Sequence, residues 1–285
     1  MGEYMQTFRP APILVLAFWL SATSLSVAAS SEPVRKPEVR SHAFYVLDGS
    51  ASSVLAARHE HAPVPIASIT KLMTALVVLE AEQPLDELLE ITAEDLRGTV
   101  GGRSRLPRGA KLSRSDMLHL ALMSSENRTA HALCRNYPDG LTGCIEAMNA
   151  RAAQLGMSTT HFVEPTGLSS DNVASPSDLA KLVLATSQNP AISEYSTDVG
   201  HTVQVHGRPL EFRNTNLLVE KPDWQVNLQK TGYISEAGRC LVMQAVIDSR
   251  EVVIVLLNSW GTLTRFADAK RIRVWIERQH RMTAT

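Results

Sequence analysis

The sequence has few of the features that mark a nucleic-acid-binding protein or a disulfide-stabilised scaffold. Its 285 residues include only three cysteines and 5% aromatic residues, and the acidic and basic side chains nearly balance, with a formal net charge of -1. Because no excess of positive charge attracts a polyanion, we expect no nucleic-acid partner. Since 44% of the residues are hydrophobic, the chain can bury a sizeable core.

The apolar run from Ala11 to about Ala22 is shorter than the roughly 20 residues that span a bilayer. Arg9 precedes this run and the small residues 26–29 follow it, which is typical of a cleaved signal peptide over residues 1–29. We therefore expect export and no stable membrane span after cleavage. A retained anchor is the alternative. Residues 30–40 lack periodicity and predict a flexible leader.

An oxidising compartment permits disulfides, so the three cysteines have to be considered separately. Cys134 and Cys144 flank the turn-rich residues 136–140, and a bridge between two helix ends is compatible with that spacing. The spacing alone leaves the pairing open. Cys240 lies in an apolar run, and we expect a buried small hydrophobe there rather than a nucleophile.

Hydrophobic periodicity predicts strands toward both ends of the chain and helices between them. The predicted strands cover residues 42–47, 53–57, 202–205, 210–212, 228–234, 240–247 and 252–257. The predicted helices cover residues 69–82, about 114–123, 128–134, 141–155, a segment after 176, and 264–279. This order indicates an α+β domain over residues 41–280, with an antiparallel sheet flanked by helices, and a tail at 281–285. A mostly helical subdomain is inserted at about residues 84–156, and we expect the site in the cleft beside it.

Three short motifs follow one another along the chain: Ser68-Ile69-Thr70-Lys71, Ser125-Glu126-Asn127 and Lys230-Thr231-Gly232. The first lies at the start of a predicted helix, where residues three apart share a face, so Lys71 can reach the Ser68 hydroxyl. A lysine amine in a dry site loses part of its preference for the charged form and can accept the serine proton. Each motif alone fits a helix cap or a solvated charge, but the ordered set indicates an active-site serine enzyme.

The ordered set resembles the S-x-x-K, S-x-N and K-T-G signature of the penicillin-binding proteins and serine β-lactamases. Residues 123–127, 162–168, 229–234 and 237–240 resemble one branch, the D-alanyl-D-alanine carboxypeptidases and endopeptidases, and most of all its penicillin-binding protein 7 type. The resemblance covers roughly residues 43–259. It implies a penicillin-binding, β-lactamase-like fold and a serine D,D-peptidase that acts on peptidoglycan stem peptides through an acyl-enzyme, with β-lactam antibiotics as covalent inhibitors.

The resemblance also implies roles for the side chains of the first two motifs. Ser68 is expected to be the acylated nucleophile and Lys71 its general base. Ser125 is expected to relay the proton to the leaving amine, and Asn127 to hold an amide of the substrate.

The third motif is expected to bind the substrate beside a strand. Lys230 and Thr231 are expected to bind a terminal carboxylate or to tune the field around Ser125. Gly232 leaves room for an extended peptide, and the backbone N–H of Tyr233 is expected to form the oxyanion hole with that of Ser68. No metal or cofactor is implied.

Within the family, we expect endopeptidase cleavage of cross-links, with carboxypeptidase trimming as the alternative because both reactions use the same serine machinery. Class A β-lactamases add a glutamate that positions a deacylating water, and Glu164 lies at a similar distance along the chain. Residues 164–169 resemble the loop of the peptidases instead, so we expect slow release of a penicilloyl group.

Two other classes of protein fit the sequence less well. A β-lactam sensor needs an output segment, and no second membrane span or effector domain is visible. A metallopeptidase could use His59 and His61, but these histidines have no third ligand at metal-binding spacing.

Overall fold

A five-stranded antiparallel sheet lies at the centre of the computed structural model, which describes residues 1–3, 36–50 and 52–283. The strands are, in spatial order, β2 (Ser53–Arg58), β1 (Ala43–Asp48), β11 (Arg250–Ser259), β10 (Gly238–Ile247) and β9 (Gln225–Ile234). Three two-stranded sheets pair β3 (Val64–Pro65) with β6 (Val173–Ala174), β4 (Leu88–Glu90) with β5 (Lys111–Ser113), and β7 (Gly200–Val205) with β8 (Arg208–Arg213). The α+β fold predicted from the sequence is confirmed.

Helices cover both faces of the central sheet. They are α1 (Thr70–Glu80), α2 (Ala93–Arg97), α3 (Arg114–Met123), α4 (Asn127–Arg135), α5 (Gly140–Gln154), α6 (Pro176–Thr186), α7 (Pro190–Thr197) and α8 (Thr264–Thr283), with a 3-10 turn at Ala67–Ile69 before α1. The elements from β4 to α5 are mainly helical and fall within the segment predicted as a helical subdomain. No described helix is both long and apolar enough to cross a bilayer.

The central strand β11 shows why the sheet has to be covered on both faces. Its six residues from Val252 to Leu257 are all apolar and fully buried. Val253 and Val255 join the core that contains α1 and α6, whereas Val252 and Ile254 join the core that contains α8. A continuous apolar strand of this kind is stable only between two layers, because successive side chains point to opposite faces.

Capping side chains fix where α3 and α4, the helices on either side of Ser125, begin. The Ser113 hydroxyl accepts a hydrogen bond from the backbone N–H of Asp116 at 3.0 Å and begins α3, as the sequence predicts. The Glu126 carboxylate accepts from the backbone N–H of Arg128 at 3.2 Å and begins α4. The residues between the two helices therefore form a short, fixed connection that carries Ser125.

The structure answers the question that the cysteine spacing left open. Cys134 at the end of α4 and Cys144 in α5 form a disulfide, with Cα atoms 5.3 Å apart. The bridge ties α5 to the helix that starts at Asn127. Cys240 is buried as expected, and burial raises the pKa of its thiol to about 11.

Some sequence-based boundaries differ from the structure. The leader predicted to end at Arg40 is already packed at Val39, which is 6% exposed, and Asp268 of α8 accepts hydrogen bonds from the backbone N–H groups of Arg40 and Ser41. The short helices α2 and α7 were not predicted, because five and eight residues are too few for a clear period. The predicted signal peptide lies outside the described residues except for its first three.

Candidate active site

Ser68, the first residue of the first motif, lines a cleft of about 610 Å³. Ser68 lies in the 3-10 turn just before α1, and the preceding Ala67 has a φ of 49°, an uncommon value for a residue with a side chain. The Thr70 hydroxyl donates to the Ala67 carbonyl at 2.9 Å and closes this turn. The turn directs Ser68 into the cleft, although the side chain is only 9% exposed.

Lys71 is fully buried, and three oxygen atoms surround its amine. Nζ lies 2.9 Å from Ser68 Oγ, 2.8 Å from Asn127 Oδ1 and 2.6 Å from the Thr166 carbonyl oxygen. A neutral amine has two N–H groups, which fit the amide and carbonyl acceptors, and one lone pair, which is then directed to the Ser68 hydroxyl. This arrangement suits proton transfer from Ser68 to Lys71.

Burial lowers the pKa of Lys71, so that a fraction of its amine is neutral near physiological pH. Desolvation lowers the pKa of Lys71 to about 8, although the negative charges of Glu164 and Glu126 oppose the shift. Glu126 is itself 5% exposed, and burial raises the pKa of its carboxyl group. Glu126 lies inside the second motif, but sequence analysis gave it no role.

The second motif reaches the cleft from the connection between α3 and α4. Ser125 has a φ of 61° and lines the cleft together with Asn127. The Asn127 side chain donates to the Arg103 carbonyl at 3.5 Å, and an added Cβ on Gly102 would lie 2.5 Å from Asn127 Nδ2. The segment around Gly102 therefore packs closely against Asn127 and forms the opposite wall of the cleft.

The third motif lies on β9, and its lysine is less accessible than the sequence indicated. Lys230 is fully buried, and its Nζ donates to the Thr231 carbonyl at 2.8 Å. Desolvation lowers the pKa of Lys230 well below its usual value, and the charges of Lys71 and Arg265 lower it further. Of the two roles expected for Lys230, the buried position favours tuning of the local field over direct contact with a carboxylate.

The remaining residues of the third motif line the cleft. The Thr231 hydroxyl lies 2.6 Å from the hydroxyl of Thr215, a cleft residue that sequence analysis missed. Gly232 runs beside the nucleophile, since an added Cβ would lie 3.1 Å from the Ser68 backbone nitrogen and 3.0 Å from the Ile66 carbonyl oxygen. The side chain of Tyr233 is 55% exposed at the cleft edge.

Arg265 is a further cleft residue that sequence analysis did not identify. It belongs to α8, about 35 residues beyond the third motif, and is 7% exposed. Its Nε and Nη1 atoms have no hydrogen-bond partner among the described residues. Burial and the charge of Arg239 lower the pKa of Arg265 to about 10. A buried guanidinium with two unpartnered nitrogen atoms, lining the same cleft as Ser68, is suited to binding a substrate carboxylate.

The Glu164 carboxylate accepts hydrogen bonds within the loop that supplies the Thr166 carbonyl. Its Oε2 accepts from the backbone N–H and hydroxyl of Thr166 at 2.7 and 2.6 Å. Its Oε1 accepts from the backbone N–H of Gly167 at 2.5 Å and from Asn172 Nδ2 at 3.0 Å. These bonds hold the loop against Lys71 and leave the carboxylate poorly suited to activating a deacylating water.

The described residues contain no group of three or more side chains that could hold a metal ion. His61 Nδ1 lies 3.1 Å from the Ser177 hydroxyl, and the His59 ring packs against His42 with centroids 4.7 Å apart. These contacts give the two histidines structural partners within the fold.

Comparisons with known proteins agree with this geometry. A D-alanyl-D-alanine carboxypeptidase family model matches residues 29–261. The chain is 43% identical to a D-alanyl-D-alanine endopeptidase of Escherichia coli (strain K12), over 93% of this chain and 86% of that protein. It is 45% identical to one from Pseudomonas aeruginosa, over 93% and 87%. The crystal structure of the Streptomyces K15 DD-transpeptidase superposes with a TM-score of 0.79 at 25% identity, covering 85% of this chain and 98% of that chain.

The lowered pKa of Lys71 predicts how acylation depends on pH. The amine is protonated below its pKa and a base above it, so the second-order rate of acylation by a penicillin should rise with pH and level off above about 8. The rate is measured from pH 6 to 9.5 by stopped-flow or quenched mass spectrometry. A rate that is constant or falls over this range contradicts the assignment of Lys71 as base.

Gly167→Ala tests the contact between the Glu164 loop and the nucleophile turn. A Cβ there would lie 1.9 Å from the Ala67 carbonyl oxygen, and the φ of 80° disfavours a side chain. We expect acylation to fall at least about tenfold, because a displacement of about 1 Å at a reacting group is costly. Gly156→Ala is the control: its φ of 68° imposes similar strain, but nothing lies within 4 Å. Equal acylation rates for the two variants would contradict the argument.

Proposed function

The chain belongs to the D-alanyl-D-alanine carboxypeptidase family of serine peptidases, and on that basis we propose that it hydrolyses D-alanyl peptide cross-links of peptidoglycan. The observation that carries the proposal is the buried amine of Lys71, 2.9 Å from Ser68 Oγ, with acceptors for both N–H groups of its neutral form. This is the arrangement that a serine nucleophile needs in order to attack an amide without a histidine.

In the acylation step, Ser68 Oγ attacks the D-alanyl carbonyl while its proton moves to Lys71. The backbone N–H groups of Ser68 and Tyr233 stabilise the oxyanion, and the close approach of β9 to the Ser68 backbone supports this assignment. The proton returns to the leaving amine through Ser125, the C–N bond breaks, and an ester to Ser68 forms.

Substrate binding uses the two walls of the cleft. Asn127 holds an amide of the acyl part, which lies between the Gly102 segment and β9. The hydroxyl of Thr231 and the guanidinium of Arg265 bind the carboxylate on the leaving side. Lys230 acts from below the cleft through the hydrogen bond that its Nζ donates to the Thr231 carbonyl.

Deacylation requires a water and a base, and Lys71 supplies the base again. The bonds that occupy Glu164 argue against a class A β-lactamase, because that class uses a glutamate that is free to orient the deacylating water. β-Lactams should therefore act as covalent inhibitors that leave slowly. The predicted signal peptide supports action in the periplasm, where peptidoglycan stem peptides are the partners.

Carboxypeptidase trimming is the second candidate, since the family model carries that description. The endopeptidase reaction is preferred because the relatives at 43% and 45% identity are both D-alanyl-D-alanine endopeptidases. The two reactions share the acyl-enzyme and differ in the size of the leaving amine.

The mature chain is tested on a purified cross-linked muropeptide dimer, with Ser68→Ala as the control, and the products are followed by mass spectrometry. We expect conversion of dimer to monomers by the unsubstituted enzyme and no conversion by the control. Loss of only a terminal D-alanine from an intact dimer would make the protein a carboxypeptidase. No product at all would contradict both assignments.

A further inference from the structure

Arg239 and Tyr233 form a small exposed platform at one end of the cleft. They are direct cross-strand partners on β10 and β9, so their side chains project from the same face of the sheet. The Arg239 guanidinium carbon lies 4.5 Å from the centroid of the Tyr233 ring. Arg239 is partly exposed, Tyr233 is exposed, and both line the cleft. The contact with the ring restrains the guanidinium without using any of its N–H groups as hydrogen-bond donors.

The Arg239 charge is not neutralised within the described part of the chain. No described residue forms a hydrogen bond or ion pair with its guanidinium, although Glu236 lines the same cleft. Arg265 is close enough to Arg239 for the charge of Arg239 to lower its pKa. The Nε and Nη1 atoms of Arg265 also lack hydrogen-bond partners among the described residues. Two unpaired like charges side by side are unfavourable in the free enzyme, and a bound anion relieves the repulsion.

The platform lines the same cleft as Thr231 and Arg265, the groups proposed to bind the leaving side of the substrate. The acyl side is marked by Asn127, which packs against the segment at Gly102. Thr231, Arg265 and the platform lie on the other wall, where β9, β10 and the start of α8 come together. Arg265 is buried and therefore suited to the carboxylate nearest the reacting amide. Arg239, at the exposed end, can reach a group farther out.

Resting on the proposed endopeptidase activity, we propose that Arg239, held over the Tyr233 ring, binds a second carboxylate of the leaving peptide stem and thereby favours cross-linked substrates over terminal D-alanine. The chemical difference between the two leaving groups supports this role. A released D-alanine carries a single carboxylate, next to the scissile amide. A released stem carries at least one more, at its own C-terminus, beyond the position that Arg265 binds.

The test compares two substrates across matched variants. The kcat/KM values for a muropeptide dimer and for a short N-acyl peptide ending in D-alanyl-D-alanine are measured for the unsubstituted enzyme, Arg239→Ala, Arg239→Lys and Arg208→Ala. Arg208 is an exposed arginine on β8 outside the cleft lining, so Arg208→Ala removes the same charge elsewhere. The rate of penicillin acylation shows for each variant whether the nucleophile remains intact.

We expect Arg239→Ala to lower kcat/KM for the dimer about tenfold, the range for loss of a charge-assisted hydrogen bond, and to change kcat/KM for the short peptide less than twofold. Arg239→Lys keeps the charge but not the planar group and should recover part of the loss. Arg208→Ala should behave as the unsubstituted enzyme. Penicillin acylation should be unchanged in all variants.

A dimer in which only the C-terminal carboxylate of the leaving stem is amidated completes a double-change cycle. The unsubstituted enzyme should cleave this amidated dimer about as poorly as Arg239→Ala cleaves the ordinary dimer, and Arg239→Ala should lose little more on it. The inference is overturned if Arg239→Ala lowers kcat/KM equally for the dimer and the short peptide, or if the two losses in the cycle are fully additive. In either case, cleavage of the dimer by the unsubstituted enzyme still upholds the proposed function. If the unsubstituted enzyme cleaves no dimer, both fail together.

Discussion

The burial of the Lys71 amine beside Ser68 is the constraint on which the rest of the site depends. Lowering the pKa of a lysine from 10.5 to about 8 corresponds to about 3 kcal/mol against the charged form. That cost is met only if both N–H groups of the neutral amine find acceptors, since a buried unsatisfied donor costs a further 1–3 kcal/mol or so. Asn127 and Thr166 provide those acceptors from elements 56 and 95 residues away.

This requirement explains several features that have no chemical role of their own. The carboxylate of Glu164 organises the loop so that the Thr166 carbonyl is directed at Lys71. Gly167 allows that loop to touch the nucleophile turn, where a Cβ would collide with Ala67. On the other side, the Cys134–Cys144 bridge ties α5 to the helix that begins at Asn127. The catalytic contact is thus maintained by packing on several sides of the serine.

The charge distribution of the cleft matches an anionic substrate. Lys71, Lys230, Arg239 and Arg265 lie close enough to influence one another, and burial favours the neutral form of the two lysines. Arg265 keeps its charge, because a pKa of about 10 still leaves it protonated at neutral pH. Burial therefore brings the Lys71 amine within reach of deprotonation near neutral pH, whereas the higher intrinsic pKa of a guanidinium keeps Arg265 charged on the leaving side.

Much of this could be predicted from the sequence, because local rules decide it. The spacing of Ser68 and Lys71 on one helix face, the Ser113 cap and the apolar strand β11 each follow from nearby residues. The partners of Lys71, the burial of Lys230 and the entry of Arg265 into the cleft could not be predicted, since they join residues far apart in the chain. Helix α2 had a usable signal in the Thr92 and Asp95 capping box, but five residues are too few to show a period.

The most direct test of the central contact is intact-protein and peptide mass spectrometry after a short pulse of penicillin, on the unsubstituted chain and on Lys71→Met. Methionine removes the amine and approximately fills its buried space, so the substitution isolates the base from the packing. We expect one penicilloyl group on the peptide that contains Ser68, persisting for minutes or longer, and at least about a hundredfold slower acylation of Lys71→Met. Acylation of Lys71→Met at an undiminished rate, or an adduct at another residue, would contradict Lys71 as the base that activates Ser68.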